Sequence, residues 1–307
     1  MRIILLGTAA GGGFPQWNCN CPNCREARSG SNRVLPRTQS SAAVSANGKD
    51  WFLLNASPDL RFQLDNCPDL HPLTNVPRST RIEAVLLTNA DLDHTLGLLL
   101  MREGERIRIH ATRDVRRALT SGISIRPTLE SFCGTQWVRP PNKLSPLICR
   151  DGNPSGLLYQ AIELTGKKPP RYMKGRDSAG SAYNVGYRLV DDRTGGKMVF
   201  LPDVALLNEA TLREASECDV LLFDGTFWSE NEMREKGVGN LPASKTGHVP
   251  ISGRHGSLKS LAQLPVPRRI YTHINNTNPI LREDSPECTA VRAAGIEIGR
   301  DGTEIVI

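Results

Sequence analysis

Apolar, often β-branched residues recur along this chain in short runs separated by glycine- or proline-marked turns. These runs predict strands over residues 2–7, 39–45, 51–55, 82–88, 106–110, 157–164, 185–190, 197–201, 220–223, 269–273, 296–298 and 304–307. Helical spacing falls at 58–65, 94–102, 112–121, 206–217, 258–263 and 286–294. Ser57-Pro58 and Ser285-Pro286 each place a capping residue before a proline suited to a first helical turn. Strands outnumber helices, and the early strands cluster instead of alternating with helices. That pattern predicts an α/β fold of two sheets packed face to face with helices outside, not a doubly wound parallel sheet. No internal repeat or domain boundary stands out, so one domain over 1–307 is expected. Residues 167–180, rich in Pro, Gly, Lys and Arg, read as an exposed loop, and 230–246 read similarly. Both are candidates for a lid or binding loop.

Composition adds mostly exclusions. A hydrophobic fraction of 39% is that of an ordinary globular protein. No apolar run approaches bilayer length, so no membrane association is expected. The opening Met1-Arg2-Ile3-Ile4-Leu5-Leu6-Gly7 is too short for a signal-peptide core, so a cytoplasmic location is expected. The net charge of +6 comes from scattered lysines and arginines without interleaved aromatics, and no nucleic-acid partner is expected.

Eight cysteines over this length do not make a secreted disulfide scaffold, but three of them fall within Cys19-Asn20-Cys21-Pro22-Asn23-Cys24. Thiolates are soft ligands that favour zinc, and this spacing makes a tight chelating knuckle. Adjacent extended positions point apart, which argues against a Cys19–Cys21 disulfide. A distant His255 or Asn276, or a water, could complete the tetrahedron, and a fourth protein ligand would make the site a structural clasp. Cys67, Cys133, Cys149, Cys218 and Cys288 are isolated and read as ordinary apolar or surface residues.

A second cluster begins at Thr88-Asn89-Ala90-Asp91-Leu92-Asp93-His94, where a strand gives way to a helix. Alone, Asp91 or Asp93 could simply cap that helix. Yet Asp203, Asp224 and His273 also follow predicted strands, and His248 lies in a glycine-flanked loop. Polar side chains gathered at the ends of several strands are how a metal site is built on such a scaffold. Asp224 reads as a turn or orienting residue. His110 reads as an edge-strand histidine, His71 and His255 as surface residues. The Gly7–Gly13 run lacks the features of a phosphate or dinucleotide loop and reads as a tight turn beside the metal sites. Arg37 to Ser41 could contact an anionic substrate or form a polar edge strand.

These residues resemble the metallo-β-lactamase superfamily, whose signature is His-x-His-x-Asp-His after a strand. The positions here are Asn89, Asp91, Asp93 and His94, so both leading histidines are replaced. Within the superfamily the chain is most similar to the coenzyme PQQ (pyrroloquinoline quinone) synthesis protein B family. That similarity runs from Gly11-Gly-Gly-Phe-Pro-Gln-Trp-Asn-Cys-Asn-Cys through Arg37-Thr-Gln-Ser-Ser, Asn55-Ala-Ser-Pro-Asp and Asp93-His-Thr to His273-Ile-Asn-Asn-Thr-Asn-Pro-Ile.

The resemblance implies a four-layered αββα sandwich with two mixed sheets and flanking helices. It implies a structural Zn²⁺ on Cys19, Cys21 and Cys24, and an active-site metal on Asp93, His94 and His273, with Asp91 or Asp203 as a further ligand or orienter. Asp203 and His248 are the candidate catalytic groups. Two imidazoles and a carboxylate with open positions suit Fe²⁺ and oxygen chemistry, and Zn²⁺ would bind the same set. The function implied is iron-dependent hydroxylation of the tyrosine ring of a Glu–Tyr-derived PQQ precursor. Alternatives are a non-catalytic carrier in transport of PQQ or its precursor to the periplasm, and a hydrolase. The partner is accordingly a small, amino-acid-derived molecule; a homodimer is left open.

Overall fold

The structure, a computed structural model, describes residues 1–173 and 182–307. In chain order, β1 (Arg2–Gly7), β2 (Ser41–Ser45), β3 (Trp51–Leu54), β4 (Ile82–Leu86), β5 (Ile107–His110) and β6 (Thr135–Val138) build one sheet. β7 (Ser145–Ile148), β8 (Pro154–Glu163), β9 (Val185–Asp191), β10 (Lys197–Leu201), β11 (Val220–Asp224), β12 (Arg268–Thr272) and β13 (Glu297–Ile298) build the other. β14 (Glu304–Val306) returns to pair with β1, so each sheet has seven strands among the described residues. Both are mixed: β1 to β3 pair antiparallel and β3 to β6 parallel, while β7 to β10 pair antiparallel and β10 to β13 parallel.

Why the strands read as continuous apolar runs follows from the layers. Side chains alternate between faces along a strand, and here both faces are covered. Ile3, Leu5, Phe52, Leu54 and Leu86 meet Tyr187, Phe200, Leu222 and Ile270 between the sheets. Their neighbours Ile4, Leu6, Leu53 and Val85 pack outward under the helices of the first sheet, and Val199, Leu201, Leu221 and Phe223 do so on the second. This is the expected αββα sandwich. The parallel strands β4, β10, β11 and β12 deliver their carboxyl ends, and the polar loops after them, to one edge of it.

Several expectations are corrected. β6 and β7 fall in segments that showed no strand signal; Gln136 and Pro146 point outward where periodicity is diluted. Pro22–Arg28 is a helix that begins inside the cysteine knuckle. The predicted 94–102 helix is a short α-turn, Leu92–Thr95, continued as a 3₁₀ helix, Leu96–Met101. Ser285 caps its helix by accepting from the Cys288 N–H, but Ser57 does not. It instead accepts from the Asp59 N–H and donates to Gln63, and the helix starts at Leu60. His110 is not on an edge: β5 lies between β4 and β6, and its imidazole is buried against the Tyr159 hydroxyl at 2.8 Å. Burial pushes its pKa down to about 4.

The 167–180 loop is only partly exposed. Lys167 is buried at the site described below, and residues 174–181 of that expected loop lie outside the described residues. Residues 230–246 contain two short helices, Glu232–Glu235 and Ala243–Thr246. No helix among the described residues is long and apolar enough to cross a membrane.

Candidate metal centres

The loop after β1 runs through Gly12 and Gly13, both at positive φ, and passes so close to Asp93 that a Cβ on Gly11 would sit 3.3 Å from its Oδ2. It is zipped to the loop after β12, with the Ala10 N–H donating to the Ile274 carbonyl and the Ile274 N–H to that of Thr8. Arg37 does not face this region as a substrate contact. Its guanidinium turns inward to Thr8 Oγ1 and the Gly299 carbonyl, and burial lowers its pKa to about 10. Gln39 accepts from the Gly12 N–H, which holds the glycine turn.

Further along the same loop, the sulfurs of Cys19, Cys21 and Cys24 converge in a group compact enough for one ion. The Asn276 side-chain amide faces all three, at 3.1 Å from Cys19, 3.7 Å from Cys21 and 3.3 Å from Cys24. His255, the other option as fourth partner, is exposed and outside this group. Burial opposes ionisation of Cys19, but the Cys21 N–H, the neighbouring thiols and the Asn276 amide outweigh it and hold Cys19 below the ordinary thiol range. Burial pushes Cys21 up to about 12. Asn23 anchors the knuckle by donating to the carbonyls of Asn276 and Asn278.

The second cluster lies where β4, β10, β11 and β12 end. Asp93, His94 and His273 form one group of convergent ligand atoms; Asp203, His248 and His273 form another. His273 Nε2 is 3.2 Å from Asp93 Oδ2 and 4.0 Å from Asp203 Oδ1, and His94 Nε2 is 3.7 Å from Asp93. His248 Nε2 lies 3.6 Å from Asp203. The His248 and His273 rings stack at 5.3 Å, and His94 meets His273 edge-on at 5.2 Å. A cavity of about 470 Å³ opens onto Gly11, Asp91, Asp93, Asp203, His248 and His273.

Hydrogen bonds fix which nitrogen each imidazole presents. Thr226 gives its hydroxyl proton to Asp224 Oδ1 at 2.7 Å, so it accepts from His273 Nδ1 at 2.8 Å. His248 Nδ1 donates to Asp224 Oδ2 at 2.8 Å. Thr88 donates to Asn55 Oδ1 and therefore accepts from His94 Nδ1 at 3.2 Å. All three rings thus turn Nε2 to the cup, and the buried His94 Nε2 has no hydrogen-bond partner among the described residues. That is the donor set and the orphaned atom a metal would satisfy. His273 holds its place with φ of 56°, a left-handed conformation that costs a non-glycine residue on the order of 1 kcal/mol.

Charge is concentrated here. Burial would raise the carboxyls, but His94 and His273 hold Asp93 below the usual range, and Lys167, His273, His94 and His248 do so for Asp203. Burial lowers His94, only partly offset by Asp93 and Asp203. Burial would lower His273 too, yet Asp203 and Asp93 outweigh it and lift it to about 9.

Asp91 stands apart from both ligand groups. Its carboxylate is 2.6 Å from Lys167 Nζ, which is also 2.6 Å from Asp203 Oδ1. Lys167 and Thr226 are the site residues that sequence reasoning missed. The excess of carboxylates at strand ends was a signal that a buried cation must answer them, but nothing local singled out Lys167.

Two mixed sheets between helices, with histidines and carboxylates at one edge, define a metallo-β-lactamase fold, and residues 50–274 match the Beta-lactamase superfamily domain. Coenzyme PQQ synthesis protein B of Methylococcus capsulatus is 42% identical, with 100% of each chain covered. That of Methylobacterium nodulans is 41% identical, with 98% of each covered. The crystal structure of Zn(2+)-bound PqqB from Methylobacterium extorquens superposes with a TM-score of 0.89 at 37% identity over 100% of both chains. The chain belongs to the coenzyme PQQ synthesis protein B family.

Proposed function

We propose that this protein acts in PQQ biosynthesis as an iron-dependent oxygenase that hydroxylates the tyrosine ring of a Glu–Tyr-derived precursor. The observation that carries this reading is the convergence of three imidazole Nε2 atoms and two carboxylates on one cup, with an amide and an ammonium-paired carboxylate at Asn89 and Asp91. Asp93, His94 and His273 would hold the metal. Ferrous iron on two imidazoles and a carboxylate keeps open positions and supplies the redox chemistry that activates oxygen.

The rest is done by the chain. Asp224 and Thr226 lock His248 and His273 in the tautomer that presents Nε2. His248, beside the cavity, is placed to move a proton or meet a substrate carboxylate. Asp203 holds His94, His248 and Lys167 in one frame. Cys19, Cys21 and Cys24 would bind a structural zinc, with Asn276 against it.

Hydroxylation places one oxygen atom of O₂ on the ring and releases the other as water, so two electrons and two protons must be supplied. The test is anaerobic reconstitution with Fe(II), addition of a Glu–Tyr peptide and ascorbate, then oxygen. A hydroxylated product that requires iron is expected. Absence of product with every tyrosine-containing precursor, together with tight PQQ binding, would overturn the reading in favour of a carrier.

A further inference from the structure

Asp91 and Asp203 face each other across a single buried cation. Lys167 Nζ lies 2.6 Å from a carboxylate oxygen of each, and only 8% of its side chain is exposed. The ammonium bridges the two carboxylates and fills the space between them.

Asn89 seals the arrangement. Its Oδ1 accepts from the Asp91 N–H at 2.9 Å, which fixes the orientation of the amide. Its Nδ2 therefore donates to Asp203 Oδ2, at 2.7 Å. The Asn89 oxygen is turned to the Asp91 N–H, and the end it turns to Asp203 is a donor, not a metal ligand. Asn184 adds to this by donating to the Asp203 carbonyl at 2.9 Å. Lys167 and the Asn89 amide thus take one carboxylate oxygen of Asp203 each, while the imidazoles of His248 and His273 (towards Oδ1) and His94 (towards Oδ2) stand farther off, at 3.4 to 4.0 Å.

We infer that Lys167 is a built-in cation that keeps the centre mononuclear: its ammonium fills the position between Asp91 and Asp203 that a second divalent ion would take. Asp91, Asp93 and Asp203 line the cup beside Arg171, so the ammonium lowers the local negative charge that would otherwise draw a second divalent ion. The inference rests on the metal centre proposed above. Lys167 is a positioning residue in this scheme, acting through Asp203 and Asp91.

Mn(II) is the suitable probe, because it prefers carboxylate oxygen and binds thiolates poorly, so the cysteine site stays out of the count. Equilibrium dialysis of the full chain against Mn(II), with metal analysis and electron paramagnetic resonance, should give one ion per wild-type chain and the spectrum of an isolated ion. Lys167→Ala should take two, with an exchange-coupled pair, while Lys167→Arg should remain at one. Lys167→Ala/Asp91→Asn, which removes one charge of each sign and so is better able to fold, should also remain at one. A coupled pair in the wild-type chain would overturn the inference, as would a folded Lys167→Ala chain that stays at one ion or a double variant that takes two. A wild-type chain that takes no Mn(II) would overturn the proposed metal centre and this inference with it.

Discussion

The cysteine clasp and the histidine–carboxylate cup are built in opposite ways. Cys19, Cys21 and Cys24 belong to one turn and the start of one helix, whereas Asp93 and His273 lie 180 residues apart and meet only when both sheets are in place. The clasp is soft, small and faced by the Asn276 amide, the cup mixes carboxylates and imidazoles, and a cavity reaches each. A local chelate suits structure, and a distributed one suits chemistry. Losing a ligand should therefore cost stability in the first case and turnover in the second.

His94→Ala tests the cup most severely. It removes a buried imidazole, the proposed ligand, with an orphaned Nε2, and turnover should fall by at least about 10³-fold, on the order of 4 kcal/mol in the barrier, with the fold intact by circular dichroism. Retained activity would refute the ligand assignment. For the clasp the pattern should invert. Cys24→Ser should lower zinc content by one ion per chain and the unfolding free energy by about 3 kcal/mol, measured in urea. A variant that loses activity at unchanged stability would erase the distinction between the two centres.

Glu232 sharpens the comparison through pH. Its carboxyl bonds to Thr277, next to Asn276, and accepts from the Trp228 N–H. Burial outweighs these bonds and raises its pKa from 4.5 to about 7. Between those values the folded chain keeps a proton that the unfolded chain has released. Its contribution is therefore most favourable below about 4.5, is lost progressively as pH rises to about 7, and stays lost above that, a span of about 3 kcal/mol. Glu232→Gln should shift in stability relative to wild type by up to that amount, in the variant's favour, between pH 4.5 and 8. A parallel pair of stability–pH curves would show that Glu232 does not carry the protonation.

The legible parts of the molecule were those with local signals. Runs such as Val220–Asp224 announced strands because both faces are buried, and the knuckle announced itself by spacing. His94 and His273 were visible as polar residues closing apolar strands. Lys167 was not, because a lysine among prolines and glycines reads as surface and its partners come from other parts of the chain. Thr226 was not legible either, since its hydroxyl gains meaning only once Asp224, His248 and His273 are brought to it. His110 was misplaced because nothing in β5 foretold that β6 would cover it.

The segment after β12 has a further consequence. His273 serves the cup and Asn276, three residues on, serves the clasp, with the Ile274 N–H and carbonyl pinned to Thr8 and Ala10 between them. So short a tether should couple the filling of one centre to that of the other. Filling the clasp would set the tether before the cup is complete, so metallation should be ordered, zinc first, and the second ion should bind with a lag when both are offered to apoprotein together.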